Sequence, residues 1–431
     1  MSLTLLVASG AVLAVGIGSA GAQSSVVGPG ESIQKAVNAA DPGDTIVVRG
    51  VHREDVVIRK NGIKLRGIDD AVIEAPARAK ADSPCSKTFG PEAICVLGDE
   101  NLETDKLEGQ RVRDVSVSGF TIRGFEIAGQ GGEPAYVIDV TGARNATVVG
   151  TRTTGNAAGG IIAFRSIDTT VAKNHVMGSP ETDAEGIFIG FSSRTTVVKN
   201  DVGNIPEGHN AIEAFDSVDT TIAGNDLVGN WVGVYAIGST ATKVLSNDVS
   251  RSGIVGMFMA GPKPTNVKVV GNNISGSPWG VFVTDTQRGS FAGNEVYDNC
   301  AGMFFEAFES QPVGGFEVKA NTVENNTRSC RAAQFDRNFS GIGIALLGAS
   351  GMEVTGNHLS GNVPSGPTAV SGGVVVSTNP FFGGSAKPRN NSVTGNHFGR
   401  NKPDIFYDKS GTGNSFVGNL CDTSVPSRLC N

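Results

Sequence analysis

One acidic residue stands where proton chemistry is expected. Glu213 lies in Ala211-Ile-Glu-Ala-Phe215; the matching segments before and after it carry Phe188 and Tyr235 at the same position, and Phe215 follows two residues on. A carboxyl group set among aromatic rings loses hydration, which raises its pKa and suits it to act as an acid or hydrogen-bond donor. His209 sits in the turn leading into the same segment, so Glu213, Tyr235 and His209 form the candidate catalytic set. A glycoside hydrolase needs two carboxyls roughly 5 to 10 Å apart. Asp285 with Glu306 on adjacent repeats, or Glu213 with Asp216 within one, satisfies that spacing, whereas Glu213 and Glu306 are separated by about 19 Å at ~4.8 Å per strand. Acids at strand ends are more often only solvated, and both pairings compete with that reading.

These positions are defined by internal repetition. A phrase ending in Asn recurs as Val-Ala-Lys-Asn174, Val-Val-Lys-Asn200, Ile-Ala-Gly-Asn225, Val-Leu-Ser-Asn247, Val-Val-Gly-Asn272 and Phe-Ala-Gly-Asn294, then at Asn321, Asn357, Asn396 and Asn419. Only short strands and turns fit between these marks, which excludes helical repeats, and the Leu-x-x-Leu-x-Leu ladder of leucine-rich repeats is absent. The pattern predicts an all-β solenoid, a parallel β-helix, whose Asn side chains tie each turn to the next coil. Ser32 to Ala40 has helical spacing and serves as a short N-terminal capping helix.

Alternation then assigns faces. Ile161, Ile187, Ile212, Val234, Met257, Val281 and Met303 fill the interior, so the residues between them face outward. One outward column reads Ile162, Phe188, Glu213, Tyr235, Phe258, Phe282, Phe304, and the next reads Phe164, Gly190, Phe215, Ile237, Ala260, Thr284, Glu306. Such an apolar strip, some 30 Å long at ~4.8 Å per strand, exceeds what a monomer leaves bare. The chain's own loops, a partner chain or a ligand must cover it. As a ligand groove it would use Phe164, Phe188, Phe215, Phe258, Phe282 and Phe304, with Glu306 and Asp285 as its polar members. Trp231 and Trp279, on the same edge, would stack a flat ligand or a sugar, or else anchor turns.

Composition narrows the partners. A net charge of -7 with scattered Lys and Arg lacks the footprint of a nucleic-acid binder, and no apolar run after Gly18 is long enough to span a bilayer. Leu3 to Gly18 followed by Ser19-Ala20-Gly21-Ala22 reads as a signal peptide over 1–22, although no Lys or Arg precedes it, leaving a β-helix domain over 23–431 with an inserted loop at 76–110. Six cysteines fall into the local pairs Cys85 with Cys95, Cys300 with Cys330 and Cys421 with Cys430, which suits disulfides in an oxidising compartment. No metal site and no cofactor is expected. His52, His175, His358 and His397 read as surface residues.

Gly28-Pro-Gly-Glu-Ser-Ile-Gln-Lys-Ala-Val, Asp41-Pro-Gly-Asp-Thr and Gly62-Ile-Lys-Leu-Arg-Gly67, with the Gly-Asn coils, resemble the pectin-lyase-like right-handed parallel β-helix proteins of bacteria over residues 26–431. Gly341 to Gly348, Gly372 to Val376 and Gly411 to Asn419 with Cys421 and Cys430 resemble an actinobacterial subgroup similar to the decalin-forming cyclases of nargenicin-type pathways. The resemblance implies a range of activities: polyuronate lyases, glycoside hydrolases, alginate epimerases, accessory proteins and those cyclases. The calcium-holding Asp clusters of pectate lyases and the Asp-Pro-His stretch of alginate epimerases have no match, and Arg165 is the only basic residue beside the strip, which discounts a polyuronate lyase. The first expectation is an exported enzyme that binds an elongated, mostly neutral apolar ligand and promotes its Diels-Alder-type cyclisation, a cyclase being favoured over a polysaccharide lyase or hydrolase. The second is a carbohydrate-active hydrolase, lyase or epimerase acting on an oligosaccharide or polysaccharide, and the third a non-catalytic secreted binding solenoid; the oligomeric state is left open.

Overall fold

The computed structural model describes residues 22–76, 85, 92–101, 106, 107, 109–125, 136–179, 184–262, 264–308, 310–332, 337–381 and 384–430. The apolar stretch read as a signal peptide lies outside these residues apart from Ala22, as does much of the 76–110 excursion.

Each repeat contributes one short strand to each of three parallel sheets, of 15, 13 and 14 strands among the described residues. Successive coils are in strict register: Ile161 pairs with Ile187, Ile187 with Ile212, Ile212 with Val234 and Val234 with Met257. All five are fully buried, so the inward column is the one alternation assigned. The fold is a right-handed parallel β-helix with, among the described residues, a single α-helix, Ile33–Ala39, across its N-terminal end.

That helix closes the open end of the core. Ser32 caps it by accepting from the Lys35 amide, Ile33 and Val37 turn inward, and Glu54 accepts from the Ile33 amide at 2.6 Å. His52 belongs to this cap, which corrects its assignment to the surface. It is buried, with its ring nitrogens 3.0 Å from the carbonyls of Glu31 and Arg49. His175 and His358 are partly exposed and paired with Asp201 and Glu324.

The Asn ladder runs unbroken from Asn174 to Asn419. At each step the side-chain oxygen of one Asn accepts from both the backbone and the side-chain N–H of the Asn one coil earlier, as Asn225 does from Asn200 at 2.9 and 3.0 Å. Its own amide donates to Asn247 and to the Val197 carbonyl. A second ladder, Asn299, Asn326, Asn362 and Asn401, lines another corner. All three expected disulfides are present. Within the 76–110 excursion, Ile94–Leu97 is a rung of the 14-stranded sheet, because its residues alternate as the other coils do. Among the described residues no helix is long and apolar enough to cross a membrane.

Candidate functional site

The 14-stranded sheet carries the aromatic strip on its outer face. Phe188, Glu213, Tyr235, Phe258, Phe282 and Phe304 stand in one register column. From Tyr235 to Phe304 the rings stack on one another, with centroids 4.9, 5.6 and 5.3 Å apart and planes within 21°. Their faces are therefore spent on each other, and their edges point outward.

The far end of the strip is roofed by the chain itself. Trp279 stacks on Phe339 at 4.5 Å, Phe381 packs against Phe304 and Phe339, and the Cys300–Cys330 disulfide ties the short hairpin bearing Phe339 to the sheet. Phe304 and Glu306 are consequently only 1% and 3% exposed. Glu306 accepts a hydrogen bond from Asn379 in this cover. Asp285 occupies a left-handed turn with φ 47°, and Asp216 stands over Gly238, where a Cβ would lie 2.1 Å from its carboxylate. Trp231 lies against Gly253, packing on the neighbouring turn. Phe164 is nearly buried, whereas Phe188, Phe215, Tyr235, Phe258 and Phe282 are half-buried.

The column is interrupted at Glu213, and there a polar cluster forms. Tyr136 donates to Glu185 at 2.5 Å, His209 Nδ1 lies 3.6 Å from the other Glu185 oxygen, and Asn210 donates to Glu213 at 2.6 Å. The carboxyl groups of Glu185 and Glu213 are within hydrogen-bonding reach of each other. Tyr136 spans two coils to arrive there because the intervening residue is Gly159, whose Cβ would sit 2.9 Å from the tyrosine ring. The cluster thus contains the expected Glu213 and His209, with Tyr235 on the next rung. Sequence reasoning missed Glu185, Tyr136 and Asn210. Their signal was one step away, in the column that precedes the small residue opening each strand.

The two carboxyls are pushed in opposite directions. Burial, then the charge of Glu185, raises the Glu213 pKa to about 7, although Asn210 opposes the shift. Burial also pulls Glu185 upward, but hydrogen bonds from His209 and Tyr136 outweigh it and leave its pKa below the ordinary value. Burial and the neighbouring charges raise both tyrosines, Tyr136 strongly through Glu185 and Tyr235 through Glu213. Under its cover Glu306 is raised by burial to about 8.

These shifts set a pH dependence of stability. A carboxyl whose folded pKa exceeds its unfolded one binds more protons in the folded state, so stability falls as pH rises between the two values. For Glu213 and Glu306 that window runs from an ordinary glutamate value to about 7 and about 8. The melting temperature is expected to drop from pH 5 to pH 8.5, and Glu306→Gln to remove much of the drop; a flat profile in both proteins would refute this assignment.

Cys85, Glu92 and Cys95 cluster within 4.8 Å, but both sulfurs are engaged in a disulfide and cannot ligate a metal as thiolates. Fold and site together define a parallel β-helix protein with an aromatic strip and a polar cluster on the outer face of one sheet. The family described as the right handed beta helix region matches residues 92–249 and 210–382, more than half of the chain, and the protein belongs to that family. No curated protein matches the sequence significantly.

Among solved structures, the chain is similar to the catalytic unit of a thermostable GH87 alpha-1,3-glucanase from Streptomyces thermodiastaticus, at 16% identity and TM-score 0.57, covering 94% of this chain and 70% of that one. It is also similar to the tailspike protein of E. coli bacteriophage HK620 in complex with a pentasaccharide, at 12% identity and TM-score 0.56, covering 89% and 71%. A third is the A-module of an Azotobacter vinelandii mannuronan C-5 epimerase, at 14% identity and TM-score 0.50, covering 90% and 93%. These likenesses establish the fold. They also overturn the preference for a cyclase: the similar structures are a glucanase, an epimerase and a tailspike, and none supports the cyclase subgroup.

Proposed function

We propose that this is an exported carbohydrate-active enzyme that hydrolyses a glycosidic bond in a neutral glycan, with Glu213 as general acid and Glu185 as general base. One observation carries the reading: two adjacent carboxyls, one kept protonated to about pH 7 and the other kept ionised, lie among the half-buried rings Phe188, Phe215 and Tyr235 of the aromatic strip. Glycosidic cleavage asks for that division of labour. Glu213 gives its proton to the leaving oxygen as the C–O bond breaks; Glu185 takes a proton from the water whose oxygen bonds to the anomeric carbon. In the free pair the carboxyls reach each other, closer than the roughly 5 to 9.5 Å of working glycosidases. A glycosidic oxygen entering at Glu213 replaces Glu185 as the acceptor of that proton, and the side chains part around substrate and water. Tyr136 and His209 keep Glu185 ionised.

The charges around the pair favour a neutral sugar over a uronate. Glu185 is held ionised at the reacting point, so a uronate carboxylate placed there would meet repulsion. Three disulfides support export, with residues 1–22 as the signal peptide. The test is release of reducing ends from α- and β-glucans, polygalacturonate and alginate between pH 5 and 8. Cleavage of a neutral glycan is expected, with the rate falling as pH rises through about 7 and Glu213 loses its proton. Cleavage of the uronates alone would overturn the reading.

A further inference from the structure

Phe191 follows the strand Ile187–Gly190 and is 47% exposed, the one aromatic among the exposed large hydrophobics of the described residues. Its φ is 49°, a left-handed conformation that a bulky side chain rarely adopts. Neighbouring coils place Arg165, Asp216, Gly238, Gly261 and Asp285 at the equivalent turn, all with positive φ, so the coil itself sets the conformation. What distinguishes Phe191 is a bulky apolar ring, left half exposed, where the other coils place a charged residue or glycine. Aromatic neighbours fix that ring. Phe191 packs edge-on against Phe164 at 5.5 Å and Phe215 at 5.4 Å, and the Arg165 guanidinium lies over Phe164 and Phe191 at 4.7 and 5.8 Å. Gly190 makes the packing possible, since a Cβ there would lie 2.5 Å from the Phe188 ring and 2.9 Å from that of Phe164.

One coil therefore presents Glu185, Phe188 and Phe191 in a line across the sheet, with roughly 10 Å between the last two at strand rise. The alternative path, along the solenoid axis, offers only ring edges and ends beneath the Trp279–Phe339 roof. We infer that the glycan runs across the sheet along the strand direction rather than from coil to coil along the axis, its reacting linkage at Glu213 and Glu185 and an adjoining sugar stacked on Phe191. This rests on the carbohydrate reading above. A ring fixed by its neighbours is preorganised, so stacking on it costs little side-chain entropy.

The test is titration calorimetry of the full chain with neutral disaccharides and hexasaccharides of the glucan that it cleaves or, failing cleavage, of α-1,3- and β-1,4-glucose oligomers. Phe191→Gly is expected to weaken hexasaccharide binding by about tenfold or more, equivalent to ~1.4 kcal/mol, and to change disaccharide binding little. Its melting temperature should hold or rise, because glycine relieves the left-handed turn, and Phe191→Trp should keep the affinity. A lowered melting temperature with equal losses for both ligands would mean a structural role and overturn the inference. So would parental affinity in Phe191→Gly alongside lost affinity in Phe282→Ala, which would put the glycan along the axis. If no oligomer binds the unaltered chain, the carbohydrate reading fails first and the path along the strands fails with it.

Discussion

Glu213→Gln is expected to cut turnover of a neutral glycan by about 10²- to 10⁴-fold while the fold stays intact. Glutamine keeps the shape of the side chain and still accepts from Asn210, but it has no proton to give the leaving oxygen. Because the acid acts in the transition state, the loss belongs in kcat, with KM nearly unchanged. The fall in rate above pH 7 should vanish with the group that causes it. Leaving-group dependence separates the two carboxyls: an aryl glycoside whose phenol departs without protonation should recover much of its rate in Glu213→Gln and none in Glu185→Gln. Tyr136→Phe removes one of the two hydrogen bonds that hold Glu185 ionised, so the low-pH limb should move upward with little change in the high-pH limb. A Glu213→Gln enzyme that retains full activity and the same high-pH limb would place the acid elsewhere.

How much of this arrangement could be read from the sequence depends on how often each feature is repeated. The inward Ile, Val and Met column recurs from coil to coil and the turn Asn in every coil from Asn174 to Asn419, so the solenoid and its Asn ladder were legible. Glu213 was legible as the acid that breaks an aromatic column. Its partners come from three other places: Glu185 and Asn210 just ahead of where the repeat pattern opens, and Tyr136 from two coils before Glu185, reaching over Gly159. A column read only from the opening Gly or Ala misses all three. The roof was illegible for a different reason. Phe339 and Phe381 lie in irregular excursions of the longest repeats, and their contacts with Trp279 and Phe304 join residues more than one strand apart in no fixed period. The aromatic column therefore read as one long apolar groove, which favoured an apolar ligand, whereas its ring faces are spent within the column and its far end lies under the roof.

Asn225→Ala is expected to be the most damaging single change in the middle of the solenoid, at roughly 3 to 6 kcal/mol. The side chain donates to the Val197 carbonyl at 3.0 Å and to Asn247 at 2.8 Å, and it accepts from the backbone and side-chain N–H of Asn200. Alanine leaves the Asn200 donors and the two acceptors without their partner inside a site that is 2% exposed, where water cannot readily take over. Truncation thus costs the desolvation of several buried groups at once, not one net hydrogen bond. A solenoid is held by nearest-neighbour interfaces, so the damage should be local. Hydrogen exchange is expected to accelerate in the coils from Val197 to Leu245 while amides near the capping helix and beyond Asn321 keep their protection. Uniform acceleration along the chain would instead mean that the coils unfold as one cooperative unit, and unchanged exchange would mean that the ladder follows the turns without stabilising them. The distinction reaches the site as well, because Glu213 and His209 hang on the same coil as Asn225: a local opening there should loosen the Glu185–Glu213 pair and lower turnover, even at temperatures where the rest of the solenoid is folded.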